Sequence, residues 1–90
     1  MKIIKIGAVW CPGCLIMKPR WQEIEKKYLW LKTNYYDFDN DNQKIKKYQI
    51  EDNKLPIFIF LDKKNKEFLR LHGEHSKKEL IALILKNKNK

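Results

Sequence analysis

Cys11 and Cys14 are the only two thiols in the chain, and only Pro12 and Gly13 separate them in the run Trp10-Cys11-Pro12-Gly13-Cys14. Cysteine reacts and binds metal as the thiolate, so a pair at this spacing could hold a metal, staple a loop, or open and close as a redox couple. A bridge that encloses so few residues removes little entropy from the unfolded chain, which makes the staple the weakest of the three. A structural zinc needs four ligands. His72 and His75 form the one HxxH pair that could complete such a set, at a separation from the cysteines far longer than that of a zinc finger. An iron-sulfur cluster shared between two chains would need a dimer.

The spacing itself suits exchange chemistry. A helix that starts at Cys11 would offer unpaired N–H groups and the positive end of its dipole to a sulfur anion, lowering that thiol below about 8.5. Cys11 is then the expected nucleophile, and Cys14, one turn on and expected to lie deeper, the resolving thiol. Pro12 would fix the backbone entering the helix. Lys18, one turn after Cys14, is expected to face solvent and to contribute little.

Elements that could carry this site follow from hydrophobic periodicity. Lys2 to Val9 is short and mostly apolar, as in a strand buried on both faces. From Cys11 the period changes: Cys14, Met17, Trp21, Ile24 and Tyr28 recur at helical steps, with Pro19 expected to kink that helix. Thr33 to Asp39 predicts a second strand towards an edge. Asn40 to Tyr48 predicts a short helix capped by Asn40 or Asp41, with Ile45 and Tyr48 inward. Leu55 to Leu61 is the most apolar run, introduced by Pro56; Asp62 to Asn65 is a polar turn, and Lys66 to His72 a partly exposed edge strand ended by Gly73. Ser76 and Glu79 form a capping-box pattern ahead of Leu80, Ile81, Leu83 and Ile84, the buried face of a last helix. The fold class is therefore α/β, in the order β-α-β-α-β-β-α.

Ninety residues suit one domain with a core that needs no staple. We expect it to span residues 1–86, with 87–90 as a solvated lysine and asparagine tail. The formal charge is +9, yet the basic residues are nearly all lysines spread along the chain, with Arg20 and Arg70 the only arginines. Nucleic-acid recognition favours clustered arginine forks, so it is not expected, although acidic partners should be favoured. No apolar run has transmembrane length, and the N-terminal run is interrupted by Lys5, unlike a secretory signal. We expect a cytoplasmic, monomeric protein without membrane partners, a setting in which cysteine pairs are usually reactive rather than structural.

This element order, together with Trp10-Cys11-Pro12-Gly13-Cys14, Pro19, Asp39, Tyr48-Gln49-Ile50, Leu55-Pro56, and Gly73 followed by Ser76 to Leu80, resembles the thioredoxin family over nearly the whole chain. The resemblance implies a thioredoxin-like fold with a central four-stranded mixed sheet in the order 2-1-3-4. It implies a thiol-disulfide oxidoreductase that uses no cofactor and no metal, with protein disulfides as substrates and a reductase as electron donor. The chain looks like the smaller core that glutaredoxins share, but the glutathione features are missing. The pair is CPGC rather than CPYC, Lys54-Leu55 stands where Thr-Val is expected, and no Gly-Gly follows the fourth strand.

The resemblance further implies a cis peptide at Pro56 beside the cysteines, with the Leu55 backbone free to pair with an extended substrate. Trp10 would shield the site, or simply close the end of the core. Two positions depart from the family. Lys5 stands six residues before Cys11, where many thioredoxins bury an aspartate, and could either favour thiolate or extend to water. Ile57 follows the proline where threonine is common. A thioredoxin fold used only as a peptide-binding module is the remaining alternative, since fold alone does not confer activity.

Overall fold

A computed structural model describes all 90 residues. Its elements are β1 (Lys2–Gly7), α1 (Pro12–Lys27), β2 (Lys32–Asp37), α2 (Asn42–Ile45), β3 (Ile57–Leu61), β4 (Glu67–His72) and α3 (Lys77–Lys86). The expected α/β order and the strand order 2-1-3-4 are both present. β1 runs parallel to β2 and antiparallel to β3, and β3 runs antiparallel to β4.

The period-two alternation of β1 and β3 distributes the core over two faces of the sheet. Ile3, Phe58 and Phe60 point to one face and pack with Met17, Trp21, Ile24, Leu80 and Ile84 of α1 and α3. Ile4, Ile6, Ile57, Ile59 and Leu61 point to the other, where Ile45 of α2 covers them. Every residue of β3 is at most 4% exposed, which fits a strand with neighbours on both edges and helices on both faces.

β1 stops at Gly7, two residues earlier than the apolar run suggested. There the chain turns, with the Cys11 N–H bonded to the Ala8 carbonyl at 3.2 Å, and Val9 and Trp10 are turned out to solvent. α1 passes through Pro19 without a break. The proline removes the donor that the Leu15 carbonyl would have had, but Leu15 and Pro19 are both exposed, so water can satisfy that carbonyl.

The second helix is shorter than expected. α2 gives way to a 3-10 turn over Lys46–Tyr48, and Gln49 takes a left-handed φ of 54° that ends it. Asp41 stands at its start without a capping bond, because its carboxylate accepts the Asp37 N–H at 2.9 Å instead.

At α3 half of the capping box forms. Ser76 Oγ accepts the Glu79 N–H at 3.1 Å, whereas the Glu79 carboxylate pairs with His75 Nδ1 at 3.1 Å. Residues 87–90 turn back on the fold: Asn87 is buried and donates to the Leu83 carbonyl at 2.8 Å, and the Lys90 carbonyl accepts the Lys63 N–H at 2.6 Å.

Candidate active site

Cys11 is the N-cap of α1. Its backbone is extended, with φ −99° and ψ 110°, and its sulfur accepts the Cys14 N–H at 3.2 Å. Cys11 therefore occupies the place that a serine or aspartate oxygen takes at an ordinary helix start. Pro12 follows at the first helical position, where no amide donor is missed, and the first turn carries no acidic side chain. The positive end of the helix dipole is thus left to the sulfur. Cys11 and Cys14 are joined as a disulfide, with their Cα atoms 5.3 Å apart.

The depth of the two cysteines is the reverse of the expectation. Cys11 is only 5% exposed, whereas Cys14 is half-buried and borders a cavity. Gly7 lies directly beside Cys14: a β-carbon built there would come within 3.1 Å of the Cys14 sulfur and 3.0 Å of the Tyr35 hydroxyl, so only glycine leaves room for both groups.

The Leu55–Pro56 peptide is cis, and Pro56 packs against Gly13: a β-carbon on Gly13 would meet the Pro56 ring at 3.2 Å. The Leu55 carbonyl accepts no backbone bond, and its N–H makes only a long 3.5 Å contact with Asp52. The loop after β4 is fixed against the same helix start. Gly73, at φ 82°, donates to the Pro56 carbonyl at 2.8 Å, and Arg20 holds the His75 carbonyl at 2.8 Å. Ile57 is buried on the α2 face.

Trp10 does not close the core; it is 52% exposed and stands over the helix start. Its indole N–H donates to Asp39 at 2.7 Å, and the ring meets Phe38 edge-on at a centroid distance of 6.3 Å. Asp39 thus fixes the orientation of an otherwise free aromatic.

A cavity of about 460 Å³ runs from Cys14 along the groove between α1, β1 and β2, bordered by Gly7, Lys18, Trp21, Glu25, Tyr35 and Pro56. Lys5 lies in it too, with its ammonium paired to Glu25, whose carboxylate also accepts the Thr33 hydroxyl at 3.0 Å. Glu25 is eleven residues beyond Cys14 on the same helix, about 16 Å along the axis. The Lys5 charge is therefore compensated and directed away from the sulfurs, so neither the thiolate-favouring arrangement nor free extension to water describes it. Lys18 is exposed as expected. Burial, followed by the nearby Asp37 and Asp41 carboxylates, raises the Tyr35 hydroxyl above the ordinary tyrosine value, so it is protonated at neutral pH.

The two histidines do not join the cysteines. His75 faces the His72 carbonyl with Nε2 at 3.1 Å and Glu79 with Nδ1, and no group of three or more His, Cys, Asp or Glu side chains is placed to hold a metal ion. Gly7, Glu25 and Tyr35 belong to the site's surroundings and were not singled out in the sequence. No local sequence pattern marks them: the register that sets Lys5 opposite Tyr35 and Gly7 opposite Asp37 exists only in the folded sheet, and Glu25 meets Lys5 only through the packing of α1 on β1. No helix is long and apolar enough to cross a membrane.

Comparison with solved structures finds the same architecture in thioredoxin NaTrxh from Nicotiana alata, with a TM-score of 0.84 at 28% identity, covering 96% of this chain and 71% of that one. Thioredoxin-2, described as a component of the protein secretion machinery of a malaria parasite, aligns with a TM-score of 0.84 at 26% identity over 94% of this chain and 81% of its own. Fasciola hepatica thioredoxin shares the fold at 23% identity and a TM-score of 0.84, over 96% of this chain and 79% of its own. No curated protein matches the sequence. The family model for thioredoxin matches residues 1–86, nearly the whole chain, and on that match and the geometry of the Cys11–Cys14 helix start the chain belongs to the thioredoxin family.

Proposed function

We propose that this thiol-disulfide oxidoreductase reduces disulfides in other proteins, with Cys11 as nucleophile and Cys14 as resolving thiol. The observation that carries the assignment is the Cys11 sulfur at the N-cap of α1, bonded to the Cys14 N–H in a first turn free of acidic residues. That placement favours the anion and so the attacking form.

In the reduced protein, the Cys11 thiolate attacks one sulfur of the partner disulfide. A mixed disulfide forms, and the partner's other sulfur leaves with the electron pair and takes a proton from solvent. Cys14 then loses its proton and attacks Cys11; the Cys11–Cys14 bond forms as the bond to the partner breaks. Two electrons pass to the substrate, and a reductase must return them. The free Leu55 carbonyl beside Pro56 suits pairing with an extended substrate strand, and half-exposed Trp10, next to Cys11 in the chain, offers an apolar contact. Pro12 and Gly13 set the turn, Gly13 by leaving room for Pro56.

We place the protein in the cytoplasm, because reactive rather than structural use of a chain's only cysteine pair fits a reducing compartment. The exposure of Cys14 favours a second reading, in which Cys14 attacks first. Incubating the Cys14→Ser variant with cell extract separates the two. Partners that accumulate covalently and are released by a reductant support Cys11 as nucleophile, whereas trapping by Cys11→Ser alone reverses the roles. If neither variant traps protein and the purified chain carries zinc or iron, the exchange reading fails.

A further inference from the structure

We propose that Tyr35 is the proton relay for Cys14, placed beside it across the bare backbone of Gly7. This rests on the exchange reading above and adds to it the group that takes the proton from the resolving thiol. The Tyr35 hydroxyl and the Cys14 sulfur lie 3.0 and 3.1 Å from a single point, the position of a β-carbon on Gly7. They are therefore no more than about 6 Å apart, a span that one bridging water closes. Both groups border the same cavity, through which solvent water can reach the hydroxyl.

Tyr35 and not another titratable group is the one that meets Cys14 over Gly7. Lys5 from β1 and Glu25 from α1 are committed to each other at the far end of the groove. Asp37, next on the same face of β2, uses a carboxylate oxygen to accept the N–H groups of Asp39 at 3.1 Å and Asn40 at 2.9 Å. Asp41 accepts the Asp37 N–H, and the Lys18 side chain of α1 is exposed to solvent. A neutral hydroxyl is both acceptor and donor, which is what a relay requires.

The step balances without a further reagent. When Cys14 attacks the mixed disulfide, its thiol proton passes through one water to the Tyr35 oxygen, while the phenol releases its own proton to solvent. The hydroxyl is regenerated, the new Cys11–Cys14 bond forms, and the partner sulfur leaves with the electron pair of the broken bond. In the reverse direction the same hydroxyl delivers a proton to Cys14 as its thiolate departs.

The test mixes reduced wild-type protein or Tyr35→Phe with a short synthetic peptide closed by one disulfide and follows tryptophan fluorescence. One phase scales with peptide concentration and reports attack; the other does not and reports resolution. In Tyr35→Phe we expect resolution at pH 7 to slow about a hundredfold while attack stays within about twofold, the lower end for loss of a general acid-base group. The deficit should vanish above about pH 9.5, where a thiol ionises unaided. Equal resolution rates at pH 7, or a deficit of unchanged size at high pH, would overturn the relay. A wild-type protein that never oxidises the pair overturns the exchange reading on which it rests.

Discussion

α1 and α3 begin with the same hydrogen bond made by different atoms. At α3, Ser76 Oγ accepts the Glu79 N–H at 3.1 Å; at α1, Cys11 Sγ accepts the Cys14 N–H at 3.2 Å. Each cap satisfies one of the donors that a helix start leaves unpaired. Their surroundings differ. α3 has Glu79 in its first turn to answer the dipole and His75 as a partner for that carboxylate. α1 has no acid there, a proline that gives up its donor, a cis proline packed on Gly13, and a cavity on the far side of Cys14. The comparison teaches that the same cap is a stability device when its acceptor is a hydroxyl and its field is already compensated, and a reactive centre when the acceptor ionises and the field is left open.

The sharpest way to separate the two roles is Cys11→Ser, which copies the α3 cap into α1. Disulfide exchange should fall by about a thousandfold or more, since the attacking group is gone. Stability of the variant, set against the wild type in its reduced form, should change by no more than about 1 kcal/mol in urea unfolding, because serine caps at least as well. A large loss of stability together with activity would mean that the sulfur is structural.

Next in size is Gly7→Ala, which puts a methyl group 3.1 Å from the Cys14 sulfur and has no counterpart at α3. Crowding there should cost about 1–3 kcal/mol and slow resolution more than attack, read from unfolding midpoints and two-phase kinetics. Ser76→Ala should cost about 1 kcal/mol of stability and leave exchange kinetics within about twofold. If it instead impairs exchange, the two helix starts are not independent. The smallest effect is expected from Leu15→Glu, which gives α1 an acid close to where α3 has one, on an exposed side chain. A carboxylate there competes with the Cys11 anion for the same field; the interaction, about 0.3–1 kcal/mol, should slow attack at pH 7 about two- to fivefold and recover in high salt.

Much of this contrast is readable from local sequence. Ser76 with Glu79, Pro12 after Cys11, and the helical stripe from Met17 to Ile24 are short-range patterns, and they fall where the periodicity places them. The uninterrupted apolar run of β3 marks a strand buried on both sides, and Leu55-Pro56 marks its entry. What escapes is set by contacts between residues distant in the chain. Lys5 and Glu25 are twenty residues apart, and only the packing of α1 on β1 brings them together. Tyr35 reads as one aromatic among several in an edge strand until the parallel register sets it opposite Lys5. Arg20 reaches the His75 carbonyl across 55 residues, and nothing near either position signals it. The relative depth of the cysteines is likewise set by what the rest of the fold packs around the helix start, which helix geometry within the motif does not contain. Asp41 illustrates a local rival: it has the composition of a cap, yet the neighbouring Asp37 N–H takes its carboxylate first.

The most direct test of the reactive cap is the pH dependence of alkylation of the fully reduced protein by iodoacetamide, with the modified cysteine located by mass spectrometry. Cys11 should be labelled first, with a rate that rises through a midpoint clearly below about 8.5 and that shifts upward in Leu15→Glu. Labelling of Cys14 first, or a Cys11 midpoint at or above the value of an ordinary thiol, would contradict the assignment of the helix start as the source of reactivity.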